Sequence, residues 1–78
     1  MNLTWDEIID RCGGTGEVAS ALLQSNSTVS GWRSRGIPSP HWPRVVGLAE
    51  GRGASEVTFE ALANLAALKL ADVEGGRV

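Results

Sequence analysis

The sequence predicts an all-α fold of five short helices. Three observations carry that expectation. Apolar residues recur at i, i+3 and i+4 in several short stretches. Each stretch is bracketed by capping residues and glycines. No stretch between turn signals reads as a strand.

The first helix opens at Thr4-Trp5-Asp6-Glu7, a capping box in which Thr4 and Glu7 bond each other's backbone. Trp5, Ile8, Ile9 and Cys12 form its apolar stripe, and Gly13-Gly14 stops it. The second helix begins near Thr15 and reaches Leu22 or Leu23, with Val18, Ala19 and Leu22 inward. Gln24-Ser25-Asn26-Ser27 is polar, and Ser25 is the expected N-cap of the third helix. That helix carries Val29 and Trp32 on one face and ends at Gly36.

Ile37-Pro38 is expected to be extended, because proline disfavours helix in the residue before it. Ser39-Pro40 reads as an N-cap followed by proline at the first helical position of a fourth helix. Pro43 is tolerable only in a first turn, which argues for a somewhat later start. This helix carries Trp42, Val45, Val46 and Ala49, with Gly51 expected beyond its end. Thr58 caps a fifth helix from Phe59 to about Leu70, rich in alanine. The expected organisation is one helical domain over residues 1–72 and a flexible tail over 73–78.

Seventy-eight residues make one small domain. A single core of this size supplies roughly 3–5 kcal/mol. A deep, dry catalytic pocket is not expected, and no nucleophile–histidine pair, phosphate loop or metal-spaced cluster occurs. Neither enzymatic activity nor a cofactor or metal is expected. Cys12 is the only cysteine, so no internal disulfide can form and a reducing compartment is expected. It reads as a small residue packed near the end of the first helix. There is no membrane-length apolar run and no signal-peptide pattern, so the expected location is the cytoplasm.

The net charge is −2, against the basic excess usual for nucleic-acid binders. Its distribution says more. Residues 1–24 hold Asp6, Glu7, Asp10 and Glu17 against Arg11, net −3. Residues 25–55 hold Arg33, Arg35, Arg44 and Arg52 against Glu50, net +3. The last 23 residues are net −2. Positive charge is thus concentrated in the middle third.

The same third holds a helix-turn-helix pattern over Thr15–Arg35. Ala19 is small enough for a second helix to cross closely. Val29, ten positions later, plugs the angle, and Trp32 adds an anchor on that face. Asn26, Ser27 and Ser30 are short polar side chains at the start of the second helix of the pair, which enters a major groove N-terminus first.

The run Ala21 to Trp32, continued by Arg33-Ser34-Arg35-Gly36-Ile37-Pro38, resembles small phage-type repressors of the Cro/CI superfamily. More narrowly it is similar to their YdaS-like and carph-isopro groups. Gly13-Gly14, Val29 with Trp32, Arg35-Gly36-Ile37-Pro38 and Trp42 match that pattern over about residues 4–70. The resemblance implies a lambda-repressor-like DNA-binding domain. It departs at the turn, where glycine is usual at Leu23 and an apolar residue at Gln24. A leucine takes the left-handed conformation at a cost of roughly 1–2 kcal/mol. The turn is therefore expected to be reshaped, with the recognition helix starting one or two residues off.

The resemblance further implies that Asn26, Ser27, Ser30 and Gly31 meet base edges, Asn26 in the manner of a bidentate pair with adenine. It implies backbone contacts from Thr15, Thr28, Arg33, Arg35 and Arg44. Each position also has a plainer role. Ser25 caps its helix with or without DNA. Ser27, Ser30 and Ser34 fit an ordinary solvated face. Trp5, Trp32 and Trp42 read as core anchors rather than stacking platforms. His41, without metal-ligand neighbours, reads as a surface or helix-cap residue. Gly13-Gly14-Thr15-Gly16 opens a helix and can attract an anion, for which a DNA phosphate is the natural candidate.

Few cations lie near the recognition segment, so one copy is expected to bind weakly and two copies to read two half-sites. Phe59, Leu62, Ala63, Ala66 and Leu70 form one stripe of the fifth helix, and Ala61, Leu65 and Leu68 a second face. So wide a stripe suits a dimerisation helix over 58–70, with Leu65 and Leu68 at the interface; the plainer alternative is that these two leucines complete the domain's own core. The leading expectation is a homodimeric transcription regulator bound to double-stranded DNA, nucleoid-associated in the cytoplasm. The competing ones are a protein-interaction module for RNA polymerase, a toxin or a co-regulator, and an excisionase-like accessory factor.

Overall fold

The computed structural model describes residues 3–67, and these are all-helical, with five α-helices and no strand among them. The helices are α1 (Trp5–Arg11), α2 (Thr15–Leu22), α3 (Asn26–Arg35), α4 (Trp42–Gly51) and α5, which covers 59–67 of the described residues. A single 3₁₀ turn, Ser39–His41, leads into α4.

Local chemistry sets the helix starts. The Glu7 amide donates to Thr4 Oγ1 at 3.1 Å, and the Thr4 amide donates to Glu7 Oε1 at 3.0 Å. Ser25 is extended and accepts the Thr28 amide at 3.1 Å. Thr58 accepts the Ala61 amide at 3.1 Å. By contrast Gly14, ahead of α2, offers no side-chain cap.

Three helices end in the same way. After α1, Gly14 N–H reaches the Ile9 carbonyl at 2.9 Å and Gly13 N–H reaches Asp10 at 3.0 Å. After α2, Gln24 reaches Ala19 at 2.8 Å and Leu23 reaches Ser20 at 3.4 Å. After α4, Ala54 reaches Ala49 at 2.8 Å and Gly53 reaches Glu50 at 3.0 Å. Each is the paired bond of a Schellman motif, which needs one residue at positive φ. Glycine fills that position at Gly13 (φ 111°) and Gly53 (φ 80°), and Leu23 fills it after α2 (φ 57°, ψ 44°). The expected reshaping of this turn therefore does not occur. Leu23 takes the left-handed conformation, its side chain 86 % exposed, and α3 begins at Asn26 behind its Ser25 cap.

Of two boundaries in the second half, the start of α4 agrees with the later start that Pro43 argues for, and its end differs from expectation. Ser39-Pro40 does not open α4, which begins at Trp42 with Pro43 in its first turn. A start at Pro40 would have required an amide hydrogen from Pro43 for the first intrahelical bond. Gly51 is the last residue of α4 rather than the residue beyond it, because the left-handed position falls at Gly53.

The core joins Trp5, Ile8, Ile9 and Cys12 of the α1 segment to Val18, Ala19 and Leu22 of α2. Val29 and Trp32 of α3, Ile37, Val45 and Ala49 of α4, Ala54, Val57 and Leu62 complete it. Helix α3 packs against both α1 and α2, and α2 also meets α4. Ala19 and Val29 are both buried where α2 and α3 cross. Trp42 is half-buried against the core, and its indole N–H donates to the Ile37 carbonyl at 2.8 Å. That bond holds the extended Ile37-Pro38 link against α4.

Helix α5 is rotated relative to the expected stripe. Leu62 is fully buried, and Leu65 and Ala66 pack half-buried against the core, while Phe59 (52 % exposed) and Ala63 face outward. The buried Ala54 and Val57 set this phase as the chain enters the helix. Leu65 thus packs on its own domain. Leu68 and Leu70 lie outside the described residues, as does the expected tail over 73–78.

Candidate nucleic-acid interface

Helix α3 has two faces of opposite character. Val29 and Trp32 point into the core. Asn26, Ser27, Ser30 and Ser34 are exposed on the other side, with Gly31 half-buried between them. The four expected base-contacting positions, Asn26, Ser27, Ser30 and Gly31, therefore fall on the first two turns of one helix. Asn26 and Ser30 side chains make no hydrogen bond among the described residues. Ser27 stands 3.4 Å from Ser25 Oγ. Ser25 in turn donates to Thr28 Oγ1 at 2.8 Å, so the Thr28 hydroxyl belongs to the cap as well as to the surface.

The arginines are distributed unevenly. Arg33, in the last turn of α3, lies across the start of α2 and the outer side of α1. Its Nε donates to Thr15 Oγ1 at 3.0 Å. Nη1 reaches Asp6 Oδ1 at 2.6 Å and the Asp6 carbonyl at 3.2 Å, and Nη2 reaches Asp10 Oδ1 at 2.9 Å. Hydrogen bonds donated to Asp6 and then to Asp10 raise the Arg33 pKa, holding the guanidinium charged. Thr15 and Arg33, both expected at DNA phosphates, are thus brought together, within a cluster of one cation and two carboxylates.

Arg35 folds back over Gly31, where a side chain would collide with its guanidinium. Arg44 reaches the Ala21 carbonyl near the C-terminus of α2 at 3.5 Å. Neither is paired with a carboxylate among the described residues. Arg52 bonds Glu17 at 3.3 Å and lies flat on Gly13, where a Cβ would stand 2.7 Å from Nη2. Arg11 pairs with Glu56 and, at 3.9 Å, with Glu7. A backbone hydrogen bond first, and then the hydrogen bond from Arg11, hold the Glu56 carboxyl below the usual carboxylate range.

The partners of these arginines were not legible in the sequence. Asp6 and Asp10 stand four apart, which shows that they share a face of α1. Nothing local shows that the end of α3 runs alongside that face. His41, expected at the surface or at a helix cap, is the N-cap residue of α4. Its ring is half-buried and sits 5.0 Å from the Trp32 ring, tilted by 34°.

Cys12 is fully buried, with Sγ 3.5 Å from the Val45 carbonyl. Among the described residues no group of acids, histidines or cysteines can hold a metal ion. No helix among them is long and apolar enough to cross a membrane. No protein-family model, curated protein or solved structure matches the chain.

Proposed function

We propose that this protein is a sequence-specific DNA-binding regulator with a lambda-repressor-like helix-turn-helix, of the phage Cro/CI type that its sequence resembles. The observation that carries this reading is the two-faced α3. Its buried Val29 and Trp32 fix it rigidly against α1 and α2, while Asn26, Ser27 and Ser30 stand exposed at its N-terminal end. A helix held in this way can enter a major groove N-terminus first. Its short side chains let the backbone approach, and Asn26 has the donor and acceptor for adenine. Thr15, Thr28, Arg33, Arg35 and Arg44 are the proposed donors to phosphate, with Arg33 and Arg35 in the last turn of α3 rather than at its N-terminal end. With so few free cations, one copy binds weakly, and a homodimer reading two half-sites supplies the rest.

Selection of bound sites from a random duplex pool tests the reading. Wild-type protein is expected to enrich a short inverted repeat. Asn26→Ala with Ser30→Ala is expected to keep the fold and lose about 1–3 kcal/mol of discrimination at the positions read. Failure of the wild type to enrich any sequence would sink the proposal.

One observation favours a second reading, a protein-interaction module. Arg11, Arg33 and Arg52 are all spent on internal carboxylates, so little free positive charge remains among the described residues. Under that reading the same selection returns no motif.

A further inference from the structure

We propose that Asp6 and Asp10 of α1 act as a built-in brake on DNA binding by masking Arg33; the proposal rests on the DNA-binding reading above. Arg33 donates to both carboxylates, to the Asp6 carbonyl and to Thr15 Oγ1, so every nitrogen of its guanidinium is engaged. One cation against two carboxylates leaves the cluster at net −1. The relative exposures decide what an approaching phosphate meets. The Asp6 and Asp10 side chains are 60 % and 62 % exposed, whereas Arg33 is 25 % exposed. The acids form the outer layer and the arginine the inner one. A phosphate at the start of α2 therefore encounters negative charge first.

The mask is exchangeable. Carboxylate and phosphate offer arginine the same geometry, two oxygens to a planar fork of N–H groups. Ion pairs this exposed are weak and screened by salt. Arg35 and Arg44 carry no such acids, so the brake acts on one arginine of the candidate surface. Binding in the masked state uses fewer phosphate contacts than the count of arginines near α3 suggests.

The test compares wild type, D6A/D10A and D6A/D10A/R33Q on one labelled duplex across a salt series. Each added phosphate contact steepens the logarithmic salt slope by about 0.9. D6A/D10A is expected to show that increment. Between about 200 and 50 mM salt its affinity should rise about 3.5-fold more than that of wild type. The triple variant should return to the wild-type slope. D6N/D10N, which removes the charge and keeps the side-chain shape, should steepen in the same direction; it replaces the alanine pair if circular dichroism shows lost helicity.

An unchanged slope or weaker binding in D6A/D10A would overturn the brake. So would a triple variant that keeps the steeper slope, since loss of acid charge would then act without Arg33. Those outcomes require wild type or a variant to bind DNA. If none of the proteins binds duplex at any salt, the DNA-binding reading itself fails, and the brake with it.

Discussion

Gly36 lies against the indole of Trp5. A Cβ built on Gly36 would stand 3.1 Å from Trp5 Cε2 and 3.2 Å from Nε1. The backbone at Gly36, φ 102° and ψ 157°, belongs to a region that is essentially glycine's own. Here the end of α3 touches the start of α1, and the contact fixes the angle at which the Ile37-Pro38 link leaves. Gly36→Ala is therefore strained twice, by the backbone and by a buried ring that has little room to move. The expected loss is about 1–3 kcal/mol, read by chemical denaturation. A variant as stable as wild type would show that the link can leave α3 by another path.

Leu23 predicts the opposite sign. It holds a left-handed conformation that Gly13 and Gly53 hold after α1 and α4, and its side chain packs on little. Asparagine tolerates this conformation better. Leu23→Asn is expected to stabilise the protein by about 1 kcal/mol, or about 4–8 °C in Tm for a domain of this size. A fall in the thermal midpoint would mean that Leu23 makes a contact worth more than its strain.

Leu65 and Phe59 separate folding from association. Leu65 packs against the core and Phe59 faces outward. Leu65→Glu is expected to cost about 1–3 kcal/mol, because it pushes a charge against apolar neighbours. Phe59→Glu should change stability by less than about 0.5 kcal/mol. If α5 joins two copies through its outward face, sedimentation should show Phe59→Glu to be monomeric while still folded. A Leu65→Glu protein of wild-type stability would contradict the packing of α5.

Cys12 reports on global opening. Burial pushes its thiol pKa up, opposed in smaller part by the charge of Arg52. The folded state thus holds the thiol proton to higher pH than the unfolded chain does. Stability contributed by the neutral thiol is complete at neutral pH. It declines as pH rises past the ordinary thiol value of about 8.5. The thiol should resist an aromatic disulfide reagent at neutral pH and react at the rate of unfolding. Fast labelling of fully helical protein would contradict this.

What the sequence determined by itself was local. The Thr4–Glu7 box, the Ser25 and Thr58 caps, and the inward positions Ile8, Val18, Val29 and Trp32 all follow from spacing within one or two turns. They appear in the structure where spacing puts them. The candidate groove face of α3 was legible for the same reason, as the complement of Val29 and Trp32. Tertiary structure decided the rest. The phase of α5 depends on how Ala54 and Val57 enter the core, so Phe59 turned outward and Leu65 inward. Leu23 takes an unfavourable conformation that closes the two Schellman bonds between the buried Leu22 and Val29. Arg33 met Asp6 and Asp10 across more than twenty residues of chain. Charge pairing acts through space rather than along the sequence, so only the packing of α3 on α1 could reveal that this arginine is already held.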